Sequence, residues 1–520
     1  MKPPARLLPG VVLVLLAPLL HAGEASHRIR ELTDRYLELA PRVGSDGRER
    51  LAALRERLIR DVPADDLTLD ERIDGRLLRA LLDRDLYDFE GPEIEGAPPP
   101  EGFLWSMGRE AGLTAEERGR RLLEAVRGAD RLDPDALARP DARARGTAFR
   151  RFLDRSLPLI ARHLPTLRED LESAREAGLG RLDAWLDQVN ARPGRGAGRR
   201  RFEHLVQRFH LVPLDADQLL EIARAVRTQT LAALERVADE IEPGTGWRSV
   251  AASLQEDRYA DPDAYFAGSR AAMEDALRFV EERDLVTLPD GAFDLVARRV
   301  RPGVHHAYGY YVQPAPGSSR GAYGVPADHT DLSDEESEAL LRNNHRHWTR
   351  VVALHEGVPG HHLQFTRARE QQSRVRRVFY TPVFSEGWGL YCEEMMWRHG
   401  YFEDPRTRLA QLQMRLWRVV RVILDVSLNC HGMGEREAVD FLSEEVGLAR
   451  EGAAREVRRY VTSPTQPFSY LIGFLQIEAL RDELMRREGA RFDEKAFHDR
   501  LLGFGSIPVA LIREAMLAEE

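Results

Sequence analysis

From Arg28 onward, apolar residues recur at intervals of three and four, with Arg, Glu and Asp filling the positions between them. That spacing lays the apolar side chains along one stripe of an α-helix. It can be followed over Arg28 to Leu39, Gly47 to Val62, Thr114 to Val126 and Leu219 to Ile241. A chain patterned in this way must bury its stripes against other helices, so the expected fold is mainly α. Pro- and Gly-rich stretches at Gly91 to Gly102, Arg192 to Gly198 and Glu242 to Gly246 read as connections. No segment repeats at a fixed period, which disfavours a solenoid.

The texture changes near residue 300. Val304 to Val312 (VHHAYGYYV) is aromatic and β-branched and is bounded by Gly303 and by Pro314 to Gly321, the pattern of a strand in a small sheet. Helical patterning resumes at Ser333, a capping residue followed by Asp334, Glu335 and Glu336. It continues through His345 and Trp348 and turns wholly apolar at Val351 to Leu354. The chain is therefore read as an N-terminal helical part over 23–300 and a C-terminal part over 301–520, expected to form one continuous domain.

The first 22 residues have the layout of a secretory leader. Lys2 and Arg6 precede an apolar run from Leu7 to Leu20, and His21-Ala22-Gly23 provides a small-residue exit. The run is short for a membrane span and is broken by Pro9, Gly10 and Pro18. No second run is long enough to span, and no Cys stands near the exit to carry a lipid. The mature chain is expected to begin between Gly23 and Ser26 and to reside in the periplasm or outside the cell, without stable membrane insertion. A net charge of −10 argues against nucleic acid as a partner, which wants a basic surface. Cys392 and Cys430 are the only cysteines, enough for one bridge or for two free thiols. Oligomeric state is left open.

The segment His355-Glu356-Gly357-Val358-Pro359-Gly360-His361-His362 holds the chemistry. A metal hydrolase needs imidazole or carboxylate ligands, an open coordination position and a carboxylate that takes a proton from water. The residue types are present, but the spacing is not that of two histidines four apart on a helix, because Pro359 occupies that position. On an unbroken helix His361 would lie about 240° around from His355, and His362 roughly 10.5 Å further along the axis. Neither could share one ion with His355. Pro359-Gly360 removes the difficulty, since Pro breaks the helix and Gly permits a sharp return. Either His361 or His362 could then serve. A third ligand is expected on a neighbouring helix beginning near Phe384, where Glu386 stands beside Gly387. Glu393 and Glu394 compete for the role, although a solvated acidic face is their more ordinary reading. Such nitrogen and oxygen donors suit Zn2+ best among the first-row ions.

These motifs carry a resemblance. His355 to Gln364, Glu386-Gly387-Trp388, Arg459 to Gly473 (RYVTSPTQPFSYLIG) and Phe497 to Pro508 closely resemble the "domain of unknown function 885" family, in the same order. That family is similar to the gluzincin-type metallopeptidases, which implies a large helical fold with a deep cleft and a small β-sheet. The resemblance implies His355, His361 and Glu386 as zinc ligands and Glu356 as general base. Pro467-Phe468 departs from the family, where small residues are commoner at that stretch. Similar metallopeptidases use a Tyr or His to hold the oxyanion; here Tyr470 is the first candidate and Tyr460 the second. Arg459 could hold a substrate carboxylate through its fork, and His431 could contact substrate. An ion pair and a helix-end histidine are their ordinary readings. The strand containing Tyr308 to Val312 could pair with an extended peptide. The function expected is hydrolysis of short peptides or small amides. A non-catalytic exported peptide- or ligand-binding protein is the rival, as is a metal-dependent hydrolase of non-peptide amides or esters.

Overall fold

The structure, a computed structural model, describes residues 25–39, 45–62, 67–88, 115–127, 146, 149–150, 152–162, 164–190, 197–301, 308–314, 320–330 and 332–518. The leader and residues 304–307 of the expected strand lie outside the described residues. The chain divides into two compact units: Met1–Pro193 with Ser373–Phe379, and Gly194–Gln372 with Tyr380–Glu520. The break at Pro193/Gly194 falls within the Pro/Gly-rich stretch at 192–198, and the change of texture near residue 300 lies inside the second unit.

Unit one is helical wherever it forms regular structure among the described residues. Helices α1 (residues 25–39), α2 (Ser45–Asp61) and α4 (Ala115–Arg127) begin and end close to the periodic segments, and α3 (Leu69–Asp88) and α5 (Arg168–Asn190) lie between them. Their stripes are buried: Leu51, Leu54 and Leu58 from α2, Leu77, Leu78 and Leu81 from α3. Each such side chain contributes about 1.5–3 kcal/mol on leaving water. A short helix, Arg374–Val378, belongs to this unit. Its Arg376 donates to Asp74 Oδ1 and Asp70 Oδ1, each at 2.7 Å.

Unit two contains α6 (Ala216–Ile241), α7 (Pro262–Glu282), a sheet, and then α8 (Asp334–Asn343), α9 (Arg346–Glu356), α10 (His361–Arg369), α11 (Pro382–Arg398), α12 (Pro405–Cys430), α13 (Arg450–Thr462) and α14 (Ser469–Glu488). Ser333 and Glu336 form the reciprocal cap that starts α8. The single helix expected from Ser333 to Leu354 is in fact two. Asn344 ends α8, with its side-chain NH2 on the Leu340 carbonyl and its oxygen accepting from Tyr265 Oη at 3.1 Å, a local alternative to helical bonding.

Three strands, β1 (Leu295–Arg299), β2 (Tyr310–Val312) and β3 (Gly321–Val325), form a sheet of order β1-β3-β2. β1 runs parallel to β3, and β2 antiparallel, with Tyr311 opposite Tyr323. β2 is thus an edge, and it holds three residues of the expected strand.

Helix α12 is buried on nearly every face, from Leu409 and Leu412 to Leu424 and Leu428, and packs along α6. Arg418, Arg421 and Asp425 are carried inside with it, so each requires a partner or a ligand. Helices α11 and α14 cross closely at two glycines. A Cβ on Gly387 would stand 2.5 Å from the Gly473 carbonyl carbon, and one on Gly473 would overlap the Val383 carbonyl oxygen. This approach brings Glu386 on α11 and Tyr470 on α14 to one cavity. No described helix is long and apolar enough to cross a membrane. Cys392 and Cys430 are both free thiols.

Candidate metal centre

Helix α9 stops at Glu356 and α10 restarts at His361, so residues 357–360 form the return that Pro359 and Gly360 suggested. The Gly360 N–H donates to the Leu354 carbonyl at 3.1 Å, and a side chain there would collide with the His355 carbonyl oxygen. Only glycine fits. Trp388 on α11 donates its Nε1–H to the Pro359 carbonyl at 2.9 Å and fixes the turn from behind. The result is that the His355 and His361 rings meet edge to face, with centroids 4.8 Å apart at 87°. His362 points elsewhere: its Nε2 donates to the Gly291 carbonyl at 2.9 Å and its Nδ1 lies 3.2 Å from Tyr311 Oη. Of the two candidates, His361 is the one that faces His355.

Helix α11 grips the His355 ring from both sides. Glu386, Gly389 and Glu393 are three and four residues apart and share one helical face. Glu393 Oε1 accepts from His355 Nδ1 at 2.8 Å, while Glu386 Oε2 stands 3.9 Å from His355 Nε2 and 3.3 Å from His361 Nε2. Gly389 makes room between them, since a Cβ there would sit 2.6 Å from His355 Cε1. Glu393 is fully buried rather than solvated, and its carboxylate lies on the His355 Nδ1 side of the ring, away from the Nε2 that Glu386 approaches. Glu394 is spent on Arg408 at 2.9 Å and Arg415 at 3.4 Å.

Two donors each about 2.0–2.1 Å from a tetrahedral ion stand about 3.3 Å apart. Glu386 Oε2 stands at that spacing from His361 Nε2, at 3.3 Å, and somewhat farther, at 3.9 Å, from His355 Nε2. The Glu393 carboxylate behind His355 is the outer partner that fixes a ligating tautomer with Nε2 free for the ion. One ligand atom each of His355, Glu356 and His361 also lie within 4.8 Å of one another. Glu356, however, accepts the Tyr311 N–H at 2.9 Å and is held beside the two rings by β2. Glu386 is nearer to both Nε2 atoms, so Glu386 fits the ligand position and Glu356 the position next to it.

The electrostatics follow from this crowding. Burial pushes the His355 imidazole down, but the Glu386 and Glu393 carboxylates outweigh it and hold it up at about 9. Burial pushes Glu386 up, and the two histidines overcome that and hold it far below the usual carboxylate range. Glu356 is raised, burial outweighing the attraction of His361 and His355. A carboxylate raised in this way is a better proton acceptor near neutral pH.

A cavity of about 340 Å³ opens onto these groups and is lined on its other side by Arg418, Arg421, Glu456, Arg459 and Tyr470. Tyr470 Oη accepts from Gln466 Nε2 at 3.2 Å, and the same Nε2 lies 3.3 Å from Glu386 Oε1. Burial raises the Tyr470 phenol, so it remains a donor. The loop that presents it is tied to α12: Asp425 Oδ2 accepts the Phe468 N–H at 3.1 Å and Oδ1 the Thr465 N–H at 3.3 Å. Arg459 lines the cavity while donating to Glu456 at 2.8 Å. Tyr460 does not line it. Fully buried, its hydroxyl accepts from Trp417 Nε1 at 3.0 Å and Arg421 Nε at 3.2 Å, so it supports the wall and cannot meet substrate. His431 is exposed at the end of α12, 3.2 Å from Asp217 and outside the cavity. Arg418 and Arg421 escaped the sequence reading, and Glu393 was weighed there only as a competing ligand or a solvated acid.

A family model described as "Bacterial protein of unknown function (DUF885)" matches residues 24–516. A search of curated proteins gave no match. A solved structure from Shewanella oneidensis, described as "a putative lipoprotein of unknown function", is similar with a TM-score of 0.73 at 22% identity, covering 95% of this chain and 99% of that one. A second, "the putative lipoprotein from Colwellia psychrerythraea", has a TM-score of 0.66 at 18% identity, covering 96% and 99%. At these identities the likeness establishes the fold alone.

Proposed function

The chain belongs to the DUF885 family of bacterial proteins of unknown function, and we propose that this member is an exported zinc-dependent hydrolase, a metallopeptidase acting on short peptides. One observation carries the reading: His355 Nε2, His361 Nε2 and Glu386 Oε2 converge at 3.3 and 3.9 Å, with Glu356 beside them and Glu393 behind His355. The helical architecture and small sheet agree with a gluzincin-like fold.

His355, His361 and Glu386 would hold the ion. A zinc ion bound there supplies a Lewis acid for the scissile carbonyl and acidifies a water. Glu356, fixed by the Tyr311 N–H, would take that water's proton as its oxygen bonds to the carbonyl carbon, and would return it to the amine as the C–N bond breaks. Tyr470, kept protonated by burial, would donate to the oxygen that gains charge. The β2 edge next to Glu356 could align an extended chain. Export rests on the leader, and the lipoprotein description of the two similar structures is consistent with it. The first cysteine of this chain is Cys392, so lipid attachment at the mature end is not part of the proposal.

The test is metal content and peptide hydrolysis of the purified full chain with two variants. Glu356→Gln keeps the metal and loses about 10²–10⁴ in rate. Glu386→Gln loses metal. Metal retained by Glu386→Gln with full activity would refute the ligand assignment. A metal-free wild type that binds peptides without cleaving them would make it a binding protein instead.

A further inference from the structure

The wall opposite the candidate metal centre holds more positive charge than its own acids can neutralise. Arg418 and Arg421 are each 6% exposed, and with Arg459 they line the cavity. Glu456 is the one acid of that wall, 3.1 Å from Arg421 and 2.8 Å from Arg459. Glu393, the acid near Arg418, stands 3.5 Å from it and is already bonded to His355 at 2.8 Å. Arg418 Nε is buried with no hydrogen-bond partner among the described residues. Arg421 spends Nε on Tyr460 and Nη2 on Glu456, and Nη1 makes no hydrogen bond among the described residues. Its guanidinium is clamped between two rings, 4.4 Å from the Trp417 centroid and 4.6 Å from that of Tyr470. A buried cation without full compensation costs several kcal/mol unless a ligand completes it.

On this basis we propose that the wall formed by Arg421, Arg418 and Arg459 recognises the free C-terminal carboxylate of the peptide, making the protein a carboxypeptidase-type enzyme. This rests on the hydrolase reading above and names the substrate class of that same site. A planar guanidinium fork matches the two oxygens of a carboxylate and holds them at fixed orientation. Arg421 stacks on the ring of Tyr470, whose hydroxyl is joined to Glu386 through Gln466. The anion site and the reacting bond are therefore separated by little more than the Tyr470 side chain. A cavity of about 340 Å³ is at the small end of ligand sites, which run to roughly 1,000 Å³. It suits a chain end rather than a long internal stretch. Every peptide offers one terminal carboxylate, whereas acidic side chains occur only in some.

The experiment compares three matched short peptides with the full-length wild type: one ending in a free acid, one in a primary amide, and one amide-ended with Glu as its last residue. The free acid should be cleaved with kcat/KM roughly 10- to 100-fold above the amide, the range of a charge-assisted pair. The Glu-ended amide should stay as slow as the plain amide. Arg421→Gln should bring the acid down to the amide's level with metal content unchanged, and Arg421→Lys should fall between. Equal cleavage of acid and amide overturns the proposal, as does a Glu-ended amide cleaved as fast as the acid. Calorimetric binding of the same peptides to Glu356→Gln protein tests recognition without turnover. If the wild type cleaves nothing but the acid still binds about tenfold tighter than the amide, the hydrolase reading fails and the carboxylate site stands. Equal binding sinks the site whatever becomes of the activity.

Discussion

Residue by residue, the centre turns on the eight-residue span Glu386 to Glu393, which holds both nitrogens of His355. Glu393 never meets the ion in this arrangement, yet its 2.8 Å bond to His355 Nδ1 sets the ring's tautomer and angle. Glu393→Gln should therefore weaken metal affinity about 10- to 100-fold while the fold persists. Competition with a chromophoric chelator measures this, and an unchanged affinity would show that the bond to His355 does nothing for the ion. Part of this arrangement was legible in the sequence. His355, Glu356 and the Pro359-Gly360 break announced the chemistry, but the choice of His361 and Glu386 came from family resemblance. Glu393 was named only as a competing ligand, and its role behind His355 was missed because an acid on a helix is ordinarily solvated. The signal available was its spacing: Glu, Gly and Glu at intervals of three and four leave a ring-sized gap between two carboxylates on one face. Arg421 was missed for a different reason. It lies on a helix that is buried all round, where periodicity no longer tells inside from outside.

Among the elements, the crossing of α11 and α14 decides whether the centre exists, because these helices deliver Glu386 and Tyr470. A Cβ on Gly473 meets only backbone, the Val383 carbonyl and Gly387 Cα, and backbone cannot rotate aside. Gly473→Ala should destabilise the protein by about 1–3 kcal/mol and lower metal affinity with it. Gly75 in α3 is the control, since a Cβ there meets nothing within 4 Å. Gly75→Ala should be neutral or stabilise by up to about 1 kcal/mol. Chemical denaturation of both variants gives the comparison; equal effects would mean that the crossing is not tight. Several helices were readable from their stripes and the cap at Ser333 from its side chain, whereas the cap at Thr381 was not read and α11 starts two residues before the expected Phe384. The sheet was readable only in part. β3 is GAYGV, buried throughout and too rich in glycine to declare itself, and β1 ends in two arginines. The excursion of Ser373–Phe379 into unit one could not be seen at all, because Arg376 finds Asp70 and Asp74 some 300 positions away.

Over the whole molecule, the centre links folding, metal uptake and pH. In the metal-free fold the carboxylates of Glu386 and Glu393 outweigh burial and keep His355 at about 9, above the ordinary imidazole value of about 6.5. A folded-state value above the unfolded one contributes stability that is fully present below about 6.5 and is lost as pH rises through about 9. Glu386 works in the opposite sense: depressed by the same histidines, it stabilises above the ordinary carboxylate range and loses that contribution in acid. A ligating imidazole must be unprotonated, so an ion entering the site displaces the His355 proton. Metal affinity should therefore rise about tenfold per pH unit toward pH 9 and level off above it. With metal in fixed excess, the stabilisation it confers grows by about 1.4 kcal/mol per unit over the same range. Denaturation of the full chain with zinc or with chelator, at intervals from pH 6 to 8, measures the slope directly. Calorimetric titration in two buffers of different ionisation enthalpy counts the proton: about one should leave per ion at pH 7 if His355 is the group displaced. Glu393→Gln removes one of the three carboxylates that raise His355, so its slope should flatten at lower pH than in the wild type. A wild-type slope of zero between pH 6 and 8, with no proton released, would mean that His355 is already neutral or that the ion binds elsewhere, and the centre assigned here would have to be abandoned.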